Sequence, residues 1–182
     1  MSIYFDHAAT APLDKEVLAE MIPYFGVVYG NANSQHSFGQ EAAKAVLNAR
    51  RRISQAIGAP HAKYLDIYFT SGGTEADNWA IRGIASAYRE KGNHIITSQV
   101  EHPAVYNTCK ILEKQGFEVT YLPVDEGGQV RPETLEKAIT DRTILVSIMF
   151  ANNEIGTVMP IKELVKVAKA KKVLFHTDAV QA

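Results

Sequence analysis

The chain has 182 residues, with 19 Lys+Arg against 20 Asp+Glu and 46% hydrophobic content. Such a length corresponds to ~1.2 average domains and buries ~70% of the unfolded surface without help from disulfides or metal. This composition excludes disorder, a collagenous fibre and a coiled coil, and a net charge of −1 gives no global attraction to nucleic acid or an anionic membrane.

In chain order, a short amphipathic helix is predicted over about 15–24 and a longer one over about 38–57, with a turn-rich loop at Gly30-Asn31-Ala32-Asn33-Ser34 between them. Residues 64–70 (YLDIYFT), rich in aromatic and β-branched side chains, read as a strand. Residues 75–90 place Trp79, Ile81 or Arg82, Ile84 and Tyr88 at helical spacing. A strand at 94–98 follows, then a helix over 103–115 with Val105, Cys109 and Leu112 on one face, and a strand at 117–122. Pro132 opens a short helix to Ile139, where a missing N–H costs little. The run 143–150 (TILVSIMF) is a continuous apolar strand, as expected when both faces are covered. A helix from Pro160 to Ala170 and a strand at 173–177 complete the pattern. This βαβαβ rhythm predicts an α/β fold with a mostly parallel sheet flanked by helices.

The single cysteine, Cys109, excludes an internal disulfide, fits a reducing compartment and reads as core packing. No apolar run approaches the ~20 residues of a membrane span, and the N-terminus has neither the basic nor the apolar region of a secretory signal. A cytoplasmic location is therefore expected. Lys162, Lys166, Lys169, Lys171 and Lys172 read as a solvated helix face, as do Arg50, Arg51 and Arg52. No cluster with metal-ligand spacing stands out, so no metal is expected.

In open α/β sheets ligands bind beyond the carboxyl ends of the strands, and polar clusters gather at four such ends here. They are Ser71-Gly72-Gly73-Thr74-Glu75, Glu101-His102-Pro103, Asn152-Asn153-Glu154, and His176 with Asp178 and Gln181. The first is a Gly-Gly turn at a helix start, which suits either a phosphate or a plain capping turn. It matches neither a Walker loop nor GxGxxG, which disfavours nucleoside triphosphates and dinucleotides. Asp178 follows an apolar strand and needs a cationic partner, either a Lys or Arg or a pyridinium nitrogen. His102 could stack on a flat ring, move protons near neutral pH, or cap the helix that Pro103 opens. Asn152 and Gln181 could donate to a phenolate oxygen or cap their own turns.

Taken together, the motifs resemble one family. Tyr4-Phe5-Asp6-His7-Ala8-Ala9-Thr10, Asn31-Ala32-Asn33-Ser34, the segment 69–78 (FTSGGTEADN), Val100-Glu101-His102-Pro103-Ala104-Val105, the segment 152–157 (NNEIGT) and His176-Thr177-Asp178-Ala179-Val180-Gln181 stand in the order of cysteine desulfurases of the nitrogen-fixation and iron–sulfur-cluster assembly type. These belong to the class-V aminotransferases of pyridoxal-phosphate fold type I, and the resemblance is to their N-terminal portion. It implies pyridoxal 5'-phosphate as cofactor, with Gly73 and Thr74 at its phosphate. It implies His102 stacked on the ring and active in proton transfer, Asn152 and Gln181 near the ring oxygen, and Asp178 on the ring nitrogen. The implied reaction takes sulfur from L-cysteine, leaving L-alanine and a persulfide on an enzyme cysteine. A homodimer and a sulfur-acceptor or scaffold protein are the implied partners.

The resemblance also divides the chain. Residues 1–15 would pack with a small domain, and residues 16–182 would form the N-terminal part of the large cofactor-binding domain. In the family, the Schiff-base lysine and the persulfide cysteine both lie beyond the Asp-Ala-x-Gln motif, so the 182 residues alone are expected to be inactive. The rival readings are a catalytically inactive pyridoxal-fold scaffold or dimerisation partner, and a related class-V aminotransferase or selenocysteine lyase.

Overall fold

The computed structural model describes residues 3–59 and 64–182. The chain divides into two compact units, Met1–Phe69 and Thr70–Ala182. In the first unit, α1 (Lys15–Met21) starts at Asp14, whose carboxylate accepts from the Glu16 amide. The helix expected to run to about 24 instead tightens into a 3-10 turn over Ile22–Phe25. Pro23 explains this, because it has no N–H to donate back to the preceding turn. Next, α2 (Ser37–Ala56) is capped by His36. The Gly30–Ser34 turn packs on its first residues: a Cβ on Gly39 would run into the Ser34 carbonyl oxygen, so only glycine fits there.

The strand expected at 64–70 is not formed. Tyr64–Asp66 is a 3-10 turn, and residues 67–70 form no regular element. Aromatic and β-branched residues favour a pleated surface, but a strand also needs a paired ladder, and residues 64–70 carry no strand assignment.

The second unit is a four-stranded parallel sheet in the order β2-β1-β3-β4. It consists of β1 (His94–Ser98), β2 (Glu118–Leu122), β3 (Thr143–Ser147) and β4 (Leu174–His176). Three helices carry the crossovers: α4 (Pro103–Lys114), α5 (Pro132–Ala138) and α6 (Ile161–Ala170). Another helix, α3 (Gly73–Ala87), precedes β1 and packs on α4. Every residue of β1 and β3 is buried, as both faces of a central parallel strand should be.

Side chains alternate along these strands and feed two cores. Ile96 and Val146 join Leu135 and Leu164 from α5 and α6 on one face. Ile95 and Leu145 join Ile81, Val105 and Cys109 from α3 and α4 on the other. The buried stripe of α3 is Asp77, Ile81 and Ala85, spaced by four. Of the series read at helical spacing with Trp79, Ile81 rather than Arg82 is buried, and Trp79 itself is 55% exposed, because two residues turn a helix by about 200°. At the amino end of the sheet the buried His94 ring joins three strands, with Nδ1 2.7 Å from Thr143 Oγ1 and Nε2 2.9 Å from Thr120 Oγ1.

Cys109 is fully buried, and burial pushes its thiol up to about 12. A thiol reagent at pH 8 should leave Cys109 unmodified in the native protein and label it in denaturant, as followed by peptide mass mapping. Labelling at equal rates in both would contradict the packing described. The five lysines of and beside α6 are all exposed. Among the described residues no helix is long and apolar enough to cross a membrane.

Candidate active site

From β1 the chain moves outward to β2, then returns across β1 to build β3 and β4. The connections leaving β1 and β3 therefore part from each other, and the crevice of a parallel sheet opens at such a reversal. Two side chains tie these connections together. Asn152 Nδ2 donates to the Val100 carbonyl at 3.0 Å. Glu101 Oε1 accepts from Ser98 Oγ at 2.6 Å and from the Met149 amide at 3.0 Å. The amides flanking Met149 serve the other neighbour: Ile148 donates to the His176 carbonyl and Phe150 to that of Asp178. Glu101 thus supplies the acceptor that β1 no longer offers.

Asp178 follows β4 and is 8% exposed. Its Oδ1 accepts from the Val180 amide at 3.0 Å. Among the described residues no lysine or arginine forms an ion pair with it. Gly73 opens α3, whose N-cap Gly72 has no side chain to satisfy the first amides. The neighbouring carboxylate, Glu75, turns back onto the Ser71 amide and hydroxyl at 2.6 and 2.7 Å, and those bonds hold its pKa down. Thr74 lies on the same exposed first turn.

Gly73 also touches the Asp178 turn, since a Cβ there would lie 2.6 Å from Val180 Cγ2. Gly73→Ala should therefore displace the exposed Val180, whose amide bonds Asp178, and lose part of the stability that alanine otherwise brings to a helix. Val180→Ala should restore most of the loss, and a double-mutant cycle on urea midpoints checks this. Strict additivity of the two changes would exclude the contact.

His102 is the N-cap of α4, and its Nδ1 accepts from the Ala104 amide at 3.1 Å. That bond assigns the proton of the neutral ring to Nε2. Asn152 is heavily committed: Oδ1 accepts from the amides of Glu154 and Ile155, and Nδ2 adds a weak 3.6 Å contact to Met149 Sδ. Gln181 lies in the half-buried turn after Asp178. The structure therefore gathers Glu101, His102 and Asn152 at the β1/β3 reversal, and links Gly73 to Asp178 and its turn.

Two further groups join them. Asp77 is 4% exposed, and burial first, then the Asp178 charge, raise its pKa to about 6, with His102 opposing. His176 bridges inward, with Nδ1 2.9 Å from Ser147 Oγ and Nε2 3.6 Å from Asp77 Oδ1. Burial lowers the His176 pKa, and Asp178 opposes it. The buried Glu101 is raised to about 7 by desolvation, against its two hydrogen bonds and with help from Asp178 and Asp77. Sequence reasoning passes over Asp77, although its signal is present: it stands four residues before Ile81, inside the apolar stripe of α3. Among the described residues no group of three His, Cys, Asp or Glu is placed to hold a metal ion.

Comparison with known proteins follows the same lines. The aminotransferase class-V family matches residues 3–182. The cysteine desulfurase IscS of Methanosarcina thermophila is 56% identical over 181 residues, which is all of this chain and 44% of that protein. Among solved structures, a NifS-like protein superposes with a TM-score of 0.95 at 42% identity, covering 100% of this chain and 50% of that one. The structure of SspA in complex with cysteine gives 0.94 at 40% identity, covering 100% and 51%. The chain thus spans about half the length of the relatives it matches.

Proposed function

Because the chain belongs to the class-V aminotransferase family, we propose that it supplies the cofactor cradle of a pyridoxal 5'-phosphate-dependent cysteine desulfurase. One observation carries the reading: Asp178 is a buried carboxylate without a Lys or Arg partner among the described residues. A pyridinium nitrogen is the cation that would complete it. The uncapped start of α3 fits the cofactor's phosphate, because its free amides and helix dipole favour an anion.

In this reading the Gly73 and Thr74 amides hold the phosphate, and Asp178 keeps the ring nitrogen protonated. The bound cofactor supplies an electron sink for an amino-acid substrate. His102 offers one ring face for stacking, and its Nε2, left over from capping, moves a proton at the substrate. Gln181 hydrogen-bonds the ring oxygen. Asn152 joins it by giving up Met149 Sδ, the weaker of its two Nδ2 contacts. The substrate is L-cysteine, which with an enzyme thiol yields L-alanine and a persulfide, so that sulfur alone changes hands. The likeness to SspA, solved in complex with cysteine, and to the Methanosarcina cysteine desulfurase supports that choice.

The same reading assigns residues 1–15 to packing with a small domain and residues 16–182 to the large cofactor-binding domain. It makes the whole protein a cytoplasmic homodimer that passes sulfur to an acceptor or scaffold protein. The test is the whole protein loaded with pyridoxal 5'-phosphate and given L-cysteine. Retained cofactor, with alanine and reducible sulfur formed in equal amounts, is the expected result. Failure to retain cofactor would overturn the reading. Retained cofactor with amino transfer but no sulfur would shift it to an aminotransferase.

A further inference from the structure

We propose that Glu101 is a positioning residue of this site: its carboxyl group, bonded to Ser98 Oγ and the Met149 amide, clamps the crevice at the β1/β3 reversal and holds His102 in place. The inference rests on the cofactor reading above and adds a residue to it. Glu101 immediately precedes His102, and the segment around them is fixed at three points. Val100 is held through its carbonyl by Asn152, Glu101 through its side chain by Met149, and His102 through Nδ1 by the Ala104 amide. Only the Glu101 bond replaces a missing ladder contact between the two strands that border the crevice.

An ordinary surface glutamate would not be buried here. Glu101 is 8% exposed and its Oε2 is buried without a hydrogen-bond partner among the described residues. Such an oxygen is costly as a carboxylate and tolerable as a neutral acid. The raised pKa agrees, with Asp77 and Asp178 both pressing in that direction. The clamp therefore works through Oε1 as an acceptor, and it needs the length of a glutamate and no charge. Glutamine meets both requirements, whereas alanine meets neither and aspartate falls one methylene short.

The experiment titrates the whole protein and its variants with pyridoxal 5'-phosphate, following both affinity and the circular dichroism induced in the bound cofactor. The free cofactor is achiral, so this dichroism reports how firmly the ring is held, which general stability does not. Glu101→Ala should weaken binding about tenfold, the scale of one lost buried hydrogen bond, and diminish the induced signal. Glu101→Gln should stay within about twofold of the parent, with its signal intact. If the alanine variant does not fold, Glu101→Asp takes its place and should show the same loss. Unchanged affinity and dichroism in the alanine or aspartate variant would overturn the proposal. So would a glutamine variant as impaired as alanine, because charge would then matter rather than reach. A parent protein that binds no cofactor would overturn the functional reading itself, an outcome distinct from either.

Discussion

In the whole protein, replacing Asp178 by asparagine should lower cofactor affinity by roughly a thousandfold while leaving the protein folded. The size follows from Coulomb's law: two unit charges ~4 Å apart at an effective dielectric of ~20 interact by about 4 kcal/mol, near a thousandfold. The fold should survive because asparagine keeps Oδ1, which accepts from the Val180 amide, and because the Asp178 carbonyl still receives the Phe150 amide. The same substitution removes a negative charge that raises both Asp77 and Glu101. Both acids should then titrate lower, and the cofactor-free protein should gain stability above neutral pH. Two measurements check this, cofactor titration and urea unfolding at pH 8. Wild-type affinity in the asparagine variant would remove the pyridinium partner from the argument.

Much of the sheet unit is visible from periodicity because its strands are short apolar runs between strong helix signals. His94–Ser98 forms as expected to the residue. The apolar run at 143–150 reads as strand throughout, yet β3 ends at Ser147. Beyond it the Ile148 and Phe150 amides still bond to the segment of His176 and Asp178, but Glu101 takes the place of the ladder on the other side, and no local pattern encodes that substitution. The failure at 64–70 has the same origin. A strand is a relation between segments, and propensity describes only one of them.

The site divides in a similar way. Residues just past strand ends stand out because topology alone predicts where ligands gather. Asp77 escapes notice because it lies within a helix, where a polar residue in an apolar stripe looks like noise until its burial and its neighbours are known. His102 poses a choice between cap and ring partner. The structure shows the cap, made through Nδ1, which leaves Nε2 for other work.

Glu101→Gln should stabilise the protein at pH 8 by an amount of order 3 kcal/mol and leave it little changed below pH ~4.5. The cause is the raised pKa of about 7 against an ordinary 4.5. Between those values the folded state holds a proton that the unfolded state has released. Stability therefore falls as pH rises from ~4.5 to ~7, and the full penalty applies above. Glutamine never pays it. The ionisable groups that press on Glu101 or are pressed by it are Asp77 on α3, Asp178 after β4 and Cys109 on α4. Asp77, raised to about 6, adds a penalty of the same sign that builds up between its ordinary value and 6 and stays in full above. The lowered pKa values of His94 and His176 act the other way, removing stability as pH falls below ~6.5. These terms are common to both proteins, so the difference between their urea stabilities across pH isolates Glu101. That difference should open between pH ~4.5 and ~7 and then stay level. A flat difference would mean that Glu101 is already ionised at no cost, and the account of its buried, unpaired oxygen would fail.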